Sequence, residues 1–280
     1  MAENEVRREF DFSDKDFRAI VDIVKEKTGI QLADHKRNMV YSRMAKRLRE
    51  LKFDSFERYL TFLNGDGGDS EMGSFINAIT TNLTSFFREG HHFDHLKKHL
   101  KEIVTSNPSQ KRIRIWSSAS SSGQEPYSIA MTTHDAISNL SQWDVKILAT
   151  DIDTNMLNKC KEGEYKAEML EDIPADYQKK YSIKSNKDKN NISMTDSIRN
   201  LLTFKELNLL HHFPMKGPFD VIFCRNVVIY FDKPTQKDLF NRMADILKMG
   251  GILYIGHSES MFKVSDRFEL IDRTTYKRIK

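Results

Sequence analysis

Residues Ile113 to Met131 read I-R-I-W-S-S-A-S-S-S-G-Q-E-P-Y-S-I-A-M, and this stretch decides the fold. An apolar strand runs into small residues, and a helix then opens at Glu125-Pro126. A strand-to-helix turn lined with Ser, Ala and Gly lets a ligand approach the backbone closely. The helix N-terminus behind it offers unpaired N–H groups. Downstream, Val145 to Thr150 reads as a second buried strand ending in Asp151-Ile152-Asp153. That puts an acid where an α/β nucleotide fold holds ribose hydroxyls. Together the two features point to a nucleoside-containing cofactor.

The loop has one glycine, Gly123, where a dinucleotide fingerprint needs G-x-G-x-x-G, and nothing matches G-x-x-x-x-G-K-[ST]. An ordinary connection with a distant helix-capping Asp is the competing reading. Missing phosphate-binding chemistry favours a nucleoside ligand without a pyrophosphate, of which S-adenosylmethionine is the commonest.

At 280 residues the chain holds either one large α/β domain or a helical module plus an α/β domain of about 200 residues. Its 39% hydrophobic and 30% charged residues are ordinary for a soluble globular protein. No apolar run approaches a membrane span, and the start MAENEVRREF lacks a secretory apolar region, so a cytoplasmic protein is expected. Cys160 and Cys224 form no Cys-x-x-Cys pair and no ligand spacing with His, which indicates neither a disulfide framework nor structural zinc. His91-His92 and His211-His212 invite a metal, but adjacent histidines on a helix are expected to point apart. No metal is expected.

The net charge of +4 is too small to define a partner, but its distribution is uneven. Between Lys36 and Lys52 stand Lys36, Arg37, Arg43, Lys46, Arg47, Arg49 and Lys52 against Glu50 alone. This basic stretch suggests an acidic partner surface, or else a solvated helix face.

The first ninety residues read as helices. Ser13 and Asp16 resemble a capping box, with Phe17, Ile20, Val21 and Val24 at helical spacing and Gly29 as the stop. A second helix from about His35 to Leu51 carries Val40, Met44, Leu48 and Leu51 on one face, leaving Arg43, Lys46, Arg47 and Arg49 in solvent. A short helix at Phe56 to Leu63 precedes a Gly-Asp-rich turn, and Met72, Phe75, Ile76 and Ile79 resume the period. After Arg112 the pattern alternates strand and helix, which argues for a parallel sheet covered on both faces. Strands are expected at Ile113 to Trp116, Val145 to Thr150, Leu201 to Leu207, Asp220 to Cys224 and Ile252 to Ile255. Helices are expected at Pro126 to Leu140, Asn155 to Glu162 and Pro234 to Lys248. Polar, Lys- and Asn-rich residues 163–200 read as an inserted subdomain with a small antiparallel sheet, and Phe268 to Ile279 as one antiparallel strand closing the sheet.

Several strings together resemble the CheR family, the chemotaxis receptor methyltransferases that esterify glutamates using S-adenosylmethionine. They are Thr80-Thr-Asn-Leu-Thr-Ser-Phe-Phe-Arg-Glu89, Trp116 to Ser128, Ala149-Thr-Asp-Ile-Asp153, Leu207-Asn-Leu-Leu210, Phe219-Asp-Val-Ile-Phe-Cys-Arg-Asn-Val-Val-Ile-Tyr-Phe231 and Gly256-His-Ser-Glu259. The N-x-T-x-F-F-R and C-R-N-x-x-I-Y-F strings carry the resemblance far more specifically than the loop. It implies a Rossmann-like α/β methyltransferase domain with a mostly parallel sheet at 99–280, with the insertion at about 163–200. An N-terminal all-α domain at 1–80 and an interdomain segment at 81–98 complete the expected chain.

The resemblance implies that Asn82, Thr84 and Arg88 close over the cofactor, with an Arg/Thr pair for its methionine carboxylate. A helix cap and a surface arginine are the plain alternatives. Glu125 matches the acid near the cofactor's amino end, and also suits a first helical turn electrostatically. Asp151 matches the ribose-binding acid, while Asp153 suits a cap for the next helix. Asn208 and Leu209 match the adenine segment, although Asn208 also suits a turn. Arg225 and Asn226, past the strand Asp220 to Cys224, lie by resemblance against the cofactor, and Tyr230 near the transferred methyl. Arg88 and Tyr230 are the expected catalytic residues; a half-buried core aromatic is the alternative for Tyr230. Phe86 and Phe87 read as core.

The implied reaction transfers methyl from S-adenosyl-L-methionine to glutamate carboxylates, leaving S-adenosyl-L-homocysteine. Its partner is the cytoplasmic helical region of chemoreceptors, reached through substrate-binding Arg43, Lys46, Arg47 and Arg49. A monomer without nucleic-acid partner or membrane insertion is expected. The loop departs from the family at Ser118 and Gln124, which bears on cofactor affinity. Ser185 to Asn191 lacks the glycines with which some relatives tether to a receptor's C-terminal peptide. Two rivals remain: a non-catalytic receptor-binding adaptor, and an RNA methyltransferase without an evident aromatic and basic platform.

Overall fold

The computed structural model describes residues 8–106 and 109–280. The chain divides into two compact units, residues up to Thr81 with Tyr230–Asp232, and Asn82–Ile229 with Lys233–Lys280.

In the first unit, Ser13 caps α1 (Asp14–Thr28): its hydroxyl accepts from the Asp16 N–H, and the Asp16 carboxylate accepts from the Ser13 N–H at 2.9 Å. Gly29 ends the helix at φ 72°, a left-handed conformation that glycine adopts without strain. A 3₁₀ turn at Asp34–Lys36 precedes α2 (Arg37–Leu51), followed by α3 (Phe56–Leu63) and α4 (Gly68–Ile79). Phe17, Ile20, Val40, Met44, Leu48, Tyr59 and Phe75 close one core among these helices. The basic residues of α2 are not all in solvent. Arg43 and Arg47, four residues apart, share the flank of α2 that packs on α4. Arg43 Nη1 donates to the carbonyls of Ile79 (2.6 Å) and Thr80 (2.7 Å). Arg47 Nε donates to Glu71 Oε1 at 2.9 Å, and that buried oxygen also accepts from the Tyr59 hydroxyl at 3.0 Å. Lys46 and Arg49 do lie exposed.

The second unit begins at Asn82. The expected interdomain segment, 81–98, divides here between an irregular run and the first turns of α5 (His91–Ser106). Then come β1 (Arg112–Ser117), α6 (Gln124–Ala136), β2 (Asp144–Asp151) and α7 (Thr154–Glu162). The insertion holds β3 (Glu164–Lys166), α8 (Ala175–Tyr181), β4 (Ser182–Lys184), β5 (Asn191–Met194) and α9 (Asp196–Arg199). It forms the antiparallel sheet β3-β5-β4, with short helices that its scattered apolar residues did not announce. The main sheet resumes with β6 (Leu202–Glu206) and β7 (Phe219–Cys224), and continues after α10 (Lys233–Ile246) with β8 (Leu247–Ile255), β9 (Phe268–Asp272) and β10 (Thr275–Arg278).

Strand order is β6-β2-β1-β7-β8-β10-β9, the first five parallel. The expected single terminal strand is instead a hairpin, because Thr274 turns at φ 48° and sends β10 back between β8 and β9. Every residue of β7 is buried, as expected of an interior parallel strand covered on both faces. Register then fixes the site: Ser117 pairs with Ala149 and with Phe223, while Asp151 pairs with Glu206 and Cys224 with Ile255. Ser118, Asp151, Arg225 and Gly256 therefore emerge along one carboxyl edge of the sheet, where open α/β folds bind ligands.

Candidate cofactor site

The loop from β1 to α6 is held by its neighbours. Ser118 N–H donates to the Phe223 carbonyl at 2.9 Å and Ser120 N–H to the Thr150 carbonyl at 2.8 Å. Trp116 Nε1 donates to Thr150 Oγ1 at 2.9 Å, which donates onward to the Ser118 carbonyl. Gly123 sits at φ 102°, and a Cβ there would collide with the Tyr165 hydroxyl and come within 3.1 Å of Cys160 Sγ. That hydroxyl instead donates to the Ser122 carbonyl at 2.9 Å, so β3 of the insertion braces the loop.

Asp151 lies at the end of β2 with each carboxylate oxygen accepting one backbone N–H, from Ser121 (2.7 Å) and Asp153 (2.9 Å). Burial pushes its pKa up to about 6, against the pull of those amides. Asp153 caps α7, accepting from Asn155 and Met156 N–H, and takes the Asn82 side-chain amide at 2.8 Å. That amide bond and the Ser121 hydroxyl on the Asn82 carbonyl fasten Asn82 beside the loop.

Glu125, in the first turn of α6, is buried. Its Oε1 accepts from Ser117 Oγ at 2.8 Å and its Oε2 from Arg225 Nη1 at 2.9 Å. Arg225 also meets Glu89 Oε2 at 3.2 Å and donates to the Arg88 carbonyl. Burial raises the Glu125 pKa in spite of Arg225 and Ser117. Burial also opposes ionisation of Glu89, but Arg225 and the His257 N–H bring its pKa below the usual carboxylate range. With both carboxylates ionised, two negative charges face one guanidinium. The cluster then attracts a cation.

Asn226 follows at φ 57°, a left-handed turn that Asn tolerates. Its Nδ2 lies 3.4 Å from Glu89 Oε1. Asn208 Oδ1 accepts from the Leu210 N–H at 3.0 Å, the turn geometry its sequence allowed, and Leu209 is buried. Thr84 is half-buried, and Arg88 Nη1 donates to the Leu83 carbonyl at 3.0 Å. Tyr230 groups with the helical unit, where its carbonyl accepts from the Gln31 N–H at 2.8 Å. Phe86 packs on Tyr165 in the core, and half-buried Phe87 packs on Phe93 and Tyr177 at its margin. His91 and His92 do not point apart: their rings lie 4.1 Å from one another, because His91 opens α5 and stacks on His257 at 4.9 Å.

Two residues that the sequence reading left without a role are central here. Glu89 and Glu259 each end a recognised string, and each is an acid drawn into a buried edge. Their place at the ends of those strings was the available signal.

Comparison with known proteins places the chain in a family. Residues 15–80 match the model of the CheR methyltransferase all-alpha domain, and residues 82–277 that of the CheR methyltransferase SAM binding domain. The chain belongs to the CheR methyltransferase family. The chemotaxis protein methyltransferase of Salmonella typhimurium is 42% identical over 94% of this chain and 90% of its own length. That of Escherichia coli is 41% identical over 94% and 91%, and a probable chemotaxis protein methyltransferase of Rhizobium etli 44% over 89% and 94%. The enzyme is an S-adenosylmethionine-dependent methyltransferase.

The edge residues fit that cofactor. Each oxygen of Glu125 has one protein donor, which leaves capacity for an ammonium, and Asp151 has the same spare capacity for a diol. With Glu125 and Glu89 both ionised, the charge beside Arg225 would suit a cationic ligand.

Proposed function

We propose that this protein transfers methyl from S-adenosylmethionine to glutamate side-chain carboxylates in the cytoplasmic helical region of chemoreceptors, releasing S-adenosylhomocysteine. The observation that carries this reading is the match of both CheR domain models over nearly the whole chain, together with the acid-rich carboxyl edge of the sheet. Sensory adaptation in chemotaxis is the corresponding role. The enzyme acts in the cytoplasm, as a monomer, and no helix among the described residues is long and apolar enough to cross a membrane.

When bound, S-adenosylmethionine supplies an electrophilic methyl on a positively charged sulfur. Glu125 would take the cofactor's ammonium and Arg88 with Thr84 its carboxylate, with Asn82, whose amide is held by Asp153, in the segment that closes over the cofactor. Asp151 would accept from the ribose hydroxyls, Asn208 and Leu209 would border the adenine, and Arg225 and Asn226 would lie against the cofactor. A substrate glutamate is already ionised at neutral pH, so no strong base is needed. The protein's work is to align carboxylate and methyl and to exclude water. Arg88 and Tyr230 contribute positioning and electrostatics at the reacting groups. On the helical unit, Lys46 and Arg49 present positive charge to the acidic receptor helices, while Arg43 and Arg47 hold α2 to α4.

Incubation with receptor and methyl-labelled S-adenosylmethionine tests the proposal. Base-labile label on receptor protein is expected. Label on RNA, or receptor binding without transfer, would replace it with one of the rival readings. Tyr230→Phe with unchanged turnover would remove that hydroxyl from the mechanism.

A further inference from the structure

Glu259 lies in the turn after β8, and its side chain is almost wholly buried. Four backbone N–H groups converge on its carboxylate. Oε2 accepts from Asn226 at 3.0 Å and from Gly256, and Oε1 accepts from Val227 and Val228 at 2.9 Å each. Three of these amides are consecutive, in the segment that leaves β7 immediately after Arg225. The other side of that segment is held as well, since Gln236 Nε2 donates to the Val228 carbonyl at 2.8 Å.

Such convergence is more than a turn requires. A hairpin or helical bond would satisfy these amides singly, whereas here one acid from a neighbouring strand end collects all of them. Gly256 permits the approach, because a Cβ there would strike the Asn226 side-chain amide and lie 2.9 Å from the Asn226 nitrogen. Asn226 is therefore fixed twice: its N–H by Glu259, and its side chain near Glu89 at 3.4 Å. Its left-handed φ of 57° is one that Asn adopts more readily than most residues, so the turn itself needs no further enforcement than these bonds give it. Without this carboxylate the half-buried amides of Asn226 and Val227 and the buried amide of Val228 would lose the acceptor they share.

We propose that Glu259 is a positioning residue of the methyltransferase site, which folds residues 226–228 so that Arg225 and Asn226 face the cofactor. Glu259 itself touches no substrate. This inference rests on the reading of Arg225 and Asn226 as cofactor contacts. The carboxylate is suited to the task because it accepts at both oxygens. A glutamine would turn an amide donor toward amide donors, and an aspartate would keep the charge but fall one methylene short.

The test uses the full-length protein and S-adenosylhomocysteine as the titrated probe, measured by calorimetry at 25 °C. Glu259→Gln is expected to weaken binding by on the order of 30-fold, the scale of one lost charge-assisted network. Glu259→Asp is expected to recover part of that loss, and it remains informative if the Gln variant does not fold. A double-mutant cycle separates positioning from general destabilisation. The effect of Glu259→Asp should largely vanish in the Asn226→Ala background yet persist in the Asp151→Ala background. Equal effects in both backgrounds, or unchanged affinity in folded Glu259→Gln protein, would overturn the proposal. Failure of the unsubstituted protein to bind the probe would instead overturn the underlying cofactor reading.

Discussion

Arg225 Nη1 stands 2.9 Å from Glu125 Oε2, tying the end of the central strand β7 to the first turn of α6. The same guanidinium reaches Glu89 at 3.2 Å and the Arg88 carbonyl, so one planar group organises three segments. A lysine ammonium is a point charge that cannot keep this fork. Arg225→Lys is expected to weaken S-adenosylhomocysteine binding on the order of 100-fold, consistent with truncating a buried charge pair. Calorimetric titration of the folded variant decides it, and an affinity within threefold of the parent would show that the cluster is structural only.

Asp151 is expected to give stability and ligand binding opposite pH dependences. Its pKa is about 6 in the folded protein against an ordinary value of 3.8, with burial as the main cause. Between those values the native state binds more protons than the unfolded chain, so this group's contribution to stability falls as pH rises from about 4 to about 6. Ligand binding has the opposite trend, since a diol needs an accepting carboxylate. S-adenosylhomocysteine affinity is expected to be flat above about pH 7 and to fall as pH drops through about 6. Asp151→Asn should bind weakly and remove that inflection. An unchanged profile in Asp151→Asn would assign the titration elsewhere, with Glu125 next in line because its pKa is also raised.

Gly123 is a local test of the loop. Its φ of 102° and the crowding by Tyr165 and Cys160 leave no place for a side chain. Gly123→Ala is expected to cost roughly 2 to 3 kcal/mol in urea denaturation, from backbone strain and overpacking together. Its cofactor affinity should fall as well, because the Tyr165 bond to the Ser122 carbonyl is displaced. Gly73, with open space around it, is the control: Gly73→Ala should be neutral or slightly stabilising.

What was legible in the sequence follows from which interactions are local. The capping box at Ser13, the α3 boundaries and the strand cores at β1, β2 and β7 depend on near neighbours and on continuous apolar runs, and they are where the pattern puts them. The terminal hairpin depends on a left-handed turn at Thr274, a residue type whose turn signal is weak. Site residues divide in the same way. Asp153 as a cap and Asn208 as a turn are local bonds and were readable. The gathering of Glu89, Glu125 and Arg225 joins residues far apart in sequence, and only sheet register brings them together. Glu89 and Glu259 lacked a role for that reason, since no periodicity marks an acid whose partners lie on other strands.

The basic residues of α2 separate into two groups that charge counting could not distinguish, one held against α4 and one exposed. Arg47 grips buried Glu71 with Nε at 2.9 Å, while the Tyr59 hydroxyl shares the same oxygen. Removing Arg47 leaves that carboxylate uncompensated, so Arg47→Ala is expected to destabilise by about 3 kcal/mol in denaturant unfolding. Lys46 and Arg49 are exposed, and their ion pairs with Glu50 (3.9 Å) and Glu9 (3.2 Å) are weak surface contacts. Lys46→Glu with Arg49→Glu should therefore leave stability within about 0.5 kcal/mol of the parent. Cofactor affinity should not change either. Receptor methylation, in contrast, is expected to fall several-fold at low ionic strength, and the difference should shrink as salt screens the encounter. Equal methylation by parent and double variant at low salt would remove these two residues from receptor recognition.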